Sequence, residues 1–371
     1  MSSRPISGMP VDFAAVDRVM GEGVARRVFP GAVLWVAVRG QVLWHKAYGV
    51  ADGFRRRPMT TDTVFDLASL TKPLATTLAA MALVRQGLLE LDRPCRDYWP
   101  AFVGEGRERI TVRHLLSHRS GLPAWRPYFF RLLRLALEER RVVLRRWVAR
   151  EPLLAAAGER TIYSDIGFWV LQWIIEHLAR QPLDRFWAAT VGGPLAIERM
   201  FFVNLADPVP AIPFAATELC PWRNRLLMGE VHDDHAHALG GVAGNAGLFA
   251  TAAAVGALLQ ALLAVDQGCG GQSVFERTLL RTFLEKQPDS GRTLGFDTPA
   301  PQHSSAGAGF SSGSVGHLGF TGTSFWMDRK RDIIVVLLTN RVHPTRFNTA
   351  IHSFRPRLHD AVMATIDSDG N

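Results

Sequence analysis

The chain has 371 residues, 47% hydrophobic and 20% charged, the profile of an ordinary globular protein with a large core, which excludes a disordered or fibrous chain. Its net charge is +8, but 38 of the 42 basic residues are arginine spread along the chain, not a compact nucleic-acid-binding block. Three cysteines, Cys95, Cys220 and Cys269, are too few and too scattered for a disulfide framework or a cysteine metal site.

The first residues, MSSRPISGMPVDFAAVDRVM, lack the apolar core of a signal peptide, which together with the cysteine usage points to a cytoplasmic protein. Residues 11–27 carry a helical period. GAVLWVAVRGQVLWHKAYGVAD then reads as two strands turning at Arg39-Gly40. Residues 69–86 read as one helix closed by Gly87. From there to about 265 the pattern is mostly helical. FRLLRLALEERRVVLRRWVAR, residues 130–150, reads as amphipathic helices with solvated arginine faces. AGLFATAAAVGALLQALLAV, residues 246–265, has no charge, yet its alanines, glycines, Thr251 and Gln260 make it a buried helix capped by Thr251, not a membrane span. Residues 287–316 form a long Gly/Ser/Pro-rich loop. HLGFTGTSFWMDRKRDIIVVLLTNRV follows as strands turning at Arg329–Asp332, and residues 353–366 close the chain as a helix. Strands at both ends and helices between them predict an α+β fold: one antiparallel sheet built from both chain ends, flanked by helices, with a mostly helical inserted region. The whole of 1–371 is expected to form a single unit, with a sheet subdomain at about 11–75 and 266–371 and a helical subdomain at about 76–265.

Only four lysines occur in the chain, and one of them, Lys72, lies three residues after Ser69 in FDLASLTKPLATTLA. That spacing puts both side chains on one helix face. Pro73 is tolerated only in a first turn, so the helix starts near Ser69, where free N–H groups favour a developing oxyanion. A serine hydroxyl needs a neighbouring base to attack, and arginine stays protonated. Lysine serves once burial or a positive neighbour lowers its pKa. The pair therefore reads as a Ser–Lys nucleophile.

More of the chain fits that reading. Ser69-Leu70-Thr71-Lys72, Tyr163-Ser164-Asp165 and His317-Leu318-Gly319 occur in order, with LLSHRSGLP, LGGVAGNAGLFAT and VVLLTNRVHP around them. This set resembles the serine β-lactamase and penicillin-binding superfamily, in its class C-like branch of β-lactamases, D-Ala-D-Ala carboxypeptidases and family VIII esterases. The resemblance covers roughly residues 12–365. It implies a β-lactamase-like fold and Ser69 as the acylated nucleophile. It also implies acid–base work shared by Lys72 and Tyr163, and an oxyanion hole from the backbone N–H of Ser69 and of Phe320, the residue after Gly319. Asp165 stands where class C enzymes have an amide-holding asparagine, and a carboxylate there favours a charged Lys72. His317 stands where β-lactamases have a carboxylate-binding lysine. Near its ordinary pKa of about 6.5 it would be neutral at pH 7.5 and charged at pH 5.5, so carboxylate substrates should bind better on acidification.

Three other patterns are weaker. Gly309-Phe310-Ser311-Ser312-Gly313 spells a nucleophile-elbow pattern but sits between a loop and a strand. His232-Asp233-Asp234-His235-Ala236-His237 reads as a hydrogen-bonded loop, not a metal site. His114 and His118 read as structural. The expected function is a serine hydrolase acting through an acyl-enzyme on an ester or amide. The alternatives are a D-amino-acid carboxypeptidase or muropeptide amidase with weak β-lactam binding, or a catalytically idle penicillin-binding-like scaffold. No cofactor, metal, nucleic acid or membrane span is expected; the partner is a small-molecule ester or amide.

Overall fold

A computed structural model describes residues 11–269, 274–288 and 290–368; the outermost ends of the expected catalytic unit, 1–10 and 369–371, lie outside them. The segment Gly31–Val38, GAVLWVAV, is buried at every position, as a strand covered on both faces must be. Its residues alternate between two cores: Val33, Trp35 and Ala37 face the large one, and Leu34, Val36 and Val38 face the smaller one. It turns at Arg39 and Gly40, both at positive φ, into the strand Gln41–Asp52. On its other side it pairs antiparallel with Ile333–Thr339, from Ala32 opposite Thr339 to Val38 opposite Ile333.

This pairing joins the two chain ends. The six-stranded sheet runs Arg57–Pro58, Gln41–Asp52, Gly31–Val38, Ile333–Thr339, Ser324–Asp328 and Val315–Leu318. Every neighbouring pair is antiparallel, as the sequence predicts. The terminal helices, Ala14–Ala25 and Ile351–Ser368, pack together over one face, with Met20, Phe29, Phe354 and Leu358 between them and the strands.

The uncharged stretch is the buried helix Ala252–Gln267, and the Thr251 hydroxyl caps it by accepting from the Ala254 N–H at 3.2 Å. It lies on the sheet because Gly256 admits Trp35: a Cβ there would sit 2.7 Å from the indole. No helix among the described residues is long and apolar enough to cross a membrane.

The segment after Ser69 differs from the expected single helix. A 3-10 turn spans Ala68–Leu70, a π-helix spans Lys72–Thr77, and the regular helix runs Leu78–Arg85, with Gly87 at positive φ just beyond it. Pro73 has no N–H to return to the carbonyl of residue 69, so an α-helical first turn cannot close there. The arginine-rich stretch forms the helices Phe129–Leu132 and Leu137–Val148. Its arginines are not all solvated: Arg140 and Arg141 donate to the carbonyls of Ala238 and Val242.

Candidate active site

Ser69 sits on a turn held from several sides. Ala68, immediately before it, takes the left-handed backbone (φ +47), a conformation that persists in a non-glycine residue only when its surroundings impose it. Asp66 imposes it: one carboxylate oxygen accepts from the Ala68 N–H at 2.8 Å and the other from the His232 N–H at 2.6 Å. The loop after the edge strand Val315–Leu318 clamps the same turn, with Thr321 and Thr323 donating to the carbonyls of Asp66 and Leu67. Gly319 lies in that clamp, where a Cβ would meet Thr323 Oγ1 at 2.0 Å and the Leu67 carbonyl at 2.6 Å.

Lys72 is fully buried. Its Nζ donates to Ser69 Oγ at 3.1 Å and to the Asn245 carbonyl at 3.3 Å, lies 2.6 Å from Asp165 Oδ1, and stands 4.8 Å from the centre of the Tyr163 ring. Burial alone would lower its pKa, but Asp165 and then Tyr163 outweigh burial and raise it above the ordinary lysine value. The resting side chain is therefore an ammonium. The lysine meets its serine as the spacing predicts, but its pKa is raised where free-amine base chemistry requires it to be lowered.

Tyr163 and Asp165 flank Ser164, which caps the helix Asp165–Ala179 by accepting from the Gly167 N–H at 3.1 Å. The three motifs thus converge: Ser69, Tyr163, His317, Gly319 and Phe320 line one cavity of about 400 Å³, and Ser69, Tyr163, Asp165 and Phe320 line a second of about 300 Å³.

His317 departs from its expected titration. It is 2% exposed, and its Nδ1–H donates to its neighbour's carbonyl, Leu318 O, at 2.9 Å. Burial first, then Lys72 and Arg292, push its pKa well below the usual value. The ring is therefore harder to charge than an exposed histidine, which argues against an acid-activated anion site there.

The cations lie elsewhere in that cavity. Arg292, Arg341, Arg346 and Arg355 line it, against the single carboxylate Asp297. Arg346 is neutralised by Glu218 at 2.6 Å and Asp234 at 3.1 Å, and Arg292 lies 3.5 Å from Asp297. Arg341 is held by backbone carbonyls, of Phe320 and Arg346 among others, and Arg355 Nη2 by those of Gly319 and Thr323. Arg355 holds the Gly319 carbonyl at 3.2 Å, which fixes the peptide plane carrying the Phe320 N–H. The second cavity is richer in acid, with Asp165, Asp233 and Asp234 against the shared Arg346, beside the half-exposed rings of Trp125 and Phe320.

The weaker patterns form no second site. Ser311 is tied to Asp328, 2.8 Å from Oγ to Oδ1. In the histidine run, His232 contacts Glu218, His237 lies 3.6 Å from Glu230, and His235 is buried among the rings of Trp125, Phe129 and Trp169. No group of side chains among the described residues could hold a metal ion. Sequence reasoning missed Asn245 and the arginine wall. Asn245 lies inside the family-like stretch LGGVAGNAGLFAT, whereas single arginines among 38 carry no signal.

With this geometry, the model of the family described as Beta-lactamase matches residues 16–354. The chain belongs to the beta-lactamase family. It is 32% identical over 360 residues to an N-acetylmuramyl-L-alanine amidase of Bacillus subtilis, covering 88% of this chain and 80% of that one. It is 30% identical over 348 residues to an Escherichia coli protein named "Putative D-alanyl-D-alanine carboxypeptidase", covering 85% and 79%. In fold it is similar to EstCE1, a hydrolase with promiscuous acyltransferase activity (TM-score 0.74, 24% identity, 94% of this chain and 97% of that chain). A penicillin-binding protein homologue of Caulobacter crescentus is similar too (TM-score 0.72, 21% identity, 98% and 100%).

Proposed function

We propose that this beta-lactamase-family hydrolase forms an acyl-enzyme at Ser69 and cleaves an amide whose leaving group carries a carboxylate, a peptidase- or amidase-type reaction. The observation that carries the reading is the array of Ser69, Lys72 and Asp165, at 3.1 and 2.6 Å, beside Tyr163. Asp165 keeps Lys72 charged, so Tyr163, acting as the phenolate beside that ammonium, takes the Ser69 proton and becomes the phenol, while the ammonium holds Ser69 Oγ in place as negative charge develops. Oγ bonds to the carbonyl carbon, the backbone N–H groups of Ser69 and Phe320 receive the oxyanion, and Tyr163 returns its proton to the departing nitrogen as the C–N bond breaks. Water then attacks the ester carbonyl, giving its proton to the Tyr163 phenolate, and Tyr163 passes that proton to Ser69 Oγ as the acyl C–O bond breaks and the serine is freed.

Three of the arginines around the first cavity, Arg292, Arg341 and Arg355, support a carboxylate on the leaving group: they supply the anion attraction that His317 does not, whereas Arg346 is already matched by Glu218 and Asp234. A cytoplasmic location is proposed on the free thiols of Cys95 and Cys220, buried and unpaired. The test is labelling with a fluorophosphonate followed by intact mass. One adduct, on Ser69 and lost in Ser69→Ala together with turnover of peptides bearing a free carboxylate, is expected. An adduct on another serine, or none, would reject the assignment and favour an idle scaffold.

A further inference from the structure

Tyr163 is the one member of the array on an irregular segment, between Ile162 and the helix cap Ser164. What holds it is His118. The Ile162 N–H donates to the His118 carbonyl at 2.8 Å, and the Ser164 N–H donates to His118 Nδ1 at 3.0 Å. Both neighbours of Tyr163 are thus pinned to one residue. The imidazole also packs on the Tyr163 ring, 4.4 Å between centroids and tilted by 37°. His118 itself takes the left-handed backbone at φ +59, the conformation that offers its carbonyl and its ring to the same segment.

The hydrogen bonds fix the tautomers. His118 Nδ1 accepts, so in the neutral ring the proton sits on Nε2. His317 Nδ1 donates to a carbonyl, so its Nε2 is an acceptor. Both Nε2 atoms are buried, and neither finds a hydrogen-bond partner among the described residues. Both rings pack on Tyr163, that of His317 at 6.0 Å. Each of the two rings beside the tyrosine therefore carries one buried nitrogen without a partner, a donor on His118 and an acceptor on His317.

We propose that His118 is the positioning residue for Tyr163: in the tautomer protonated on Nε2 it clamps the tyrosine's two backbone neighbours and stacks on its ring. The tyrosine is thereby held on its irregular segment by one residue, with the His317 ring of the third motif packed on it as well. His118 stays neutral in this role: burial, then Arg292, Lys72 and His317, all press its pKa down. The rate consequence rests on the proposed acid–base role of Tyr163, whereas the tautomers do not.

Two measurements test it. The first is the nitrogen spectrum of 15N-histidine-labelled wild type. Expected are a neutral His118 protonated on Nε2 and a neutral His317 protonated on Nδ1; a His118 protonated on Nδ1 cannot accept from Ser164 and overturns the proposal whatever the reaction is. The second is fluorophosphonate labelling of His118→Ala and His118→Asn. Loss of positioning in His118→Ala should lower kinact about 100-fold, within the range of general acid–base catalysis, with KI changed less than about threefold. Asparagine supplies an Oδ1 acceptor near the Nδ1 position and should recover about tenfold of that loss. An alanine variant labelled at the wild-type rate, or an asparagine variant no better than alanine, overturns the proposal. Correct tautomers with no labelling of Ser69 even in the wild type would instead remove the proposed function and with it the rate argument.

Discussion

Replacing Asp165 by asparagine keeps the shape at the head of its helix and removes one charge. Asp165 Oδ1 lies 2.6 Å from Lys72 Nζ, with the lysine side chain fully buried and the aspartate side chain 20% exposed. At an effective dielectric of about 20, the Coulomb attraction at that distance is about 6 kcal/mol, a ceiling of roughly four pKa units on what the carboxylate contributes. Solvent at the aspartate and the remaining asparagine dipole trim this to on the order of two units, or about 3 kcal/mol. Burial, no longer opposed, then carries the Lys72 pKa downward. In the wild type the folded-state pKa is raised, so the stabilisation is fully present below the unfolded lysine value of about 10.4 and fades as pH rises through the folded value. At pH 7, therefore, Asp165→Asn should lose about 3 kcal/mol, or about 4 °C in Tm at the usual unfolding entropy per residue for a chain of this length. Labelling gives the second readout. The wild type should show no step from Lys72 between about pH 6 and 10, whereas the variant should gain a rise toward alkaline pH as a free amine becomes available to take the Ser69 proton. Superposable labelling profiles together with an unchanged Tm at pH 7 would refute the claim that Asp165 sets the charge of Lys72.

Lys72→Arg should label Ser69 about three orders of magnitude more slowly than wild type, close to Lys72→Ala, because a forked guanidinium does not fit a fully buried ammonium site; a rate near wild type would show that charge alone suffices there. For the leaving-group cavity, the ratio of kcat/KM for a chromogenic cephalosporin over p-nitrophenyl butyrate should stay flat between about pH 5.5 and 8.5, since His317 is held neutral across that range. Arg292→Ala should cut the same ratio about tenfold through loss of a charge-assisted contact. A ratio that climbs on acidification and ignores Arg292 would return the anion site to His317.

Local chemistry was legible in the sequence wherever its cause is local. The Ser69–Lys72 spacing, the Thr251 cap, the turn at Arg39-Gly40 and the strand periods of both chain ends each depend on residues a few positions apart, and each appears where expected. The joining of the ends into one sheet follows from strands that must be covered on both faces. Tertiary structure decided the charge states. Whether Lys72 is an amine or an ammonium depends on Asp165, which arrives from a distant helix, and whether His317 titrates depends on its burial and on Lys72 and Arg292. The arginine wall is assembled from a loop, the end of a strand and the closing helix, so no window of sequence contains it. Hydrophobic period and capping are written in neighbouring residues, whereas a pKa is set by dielectric and by charges that only folding brings within a few ångströms.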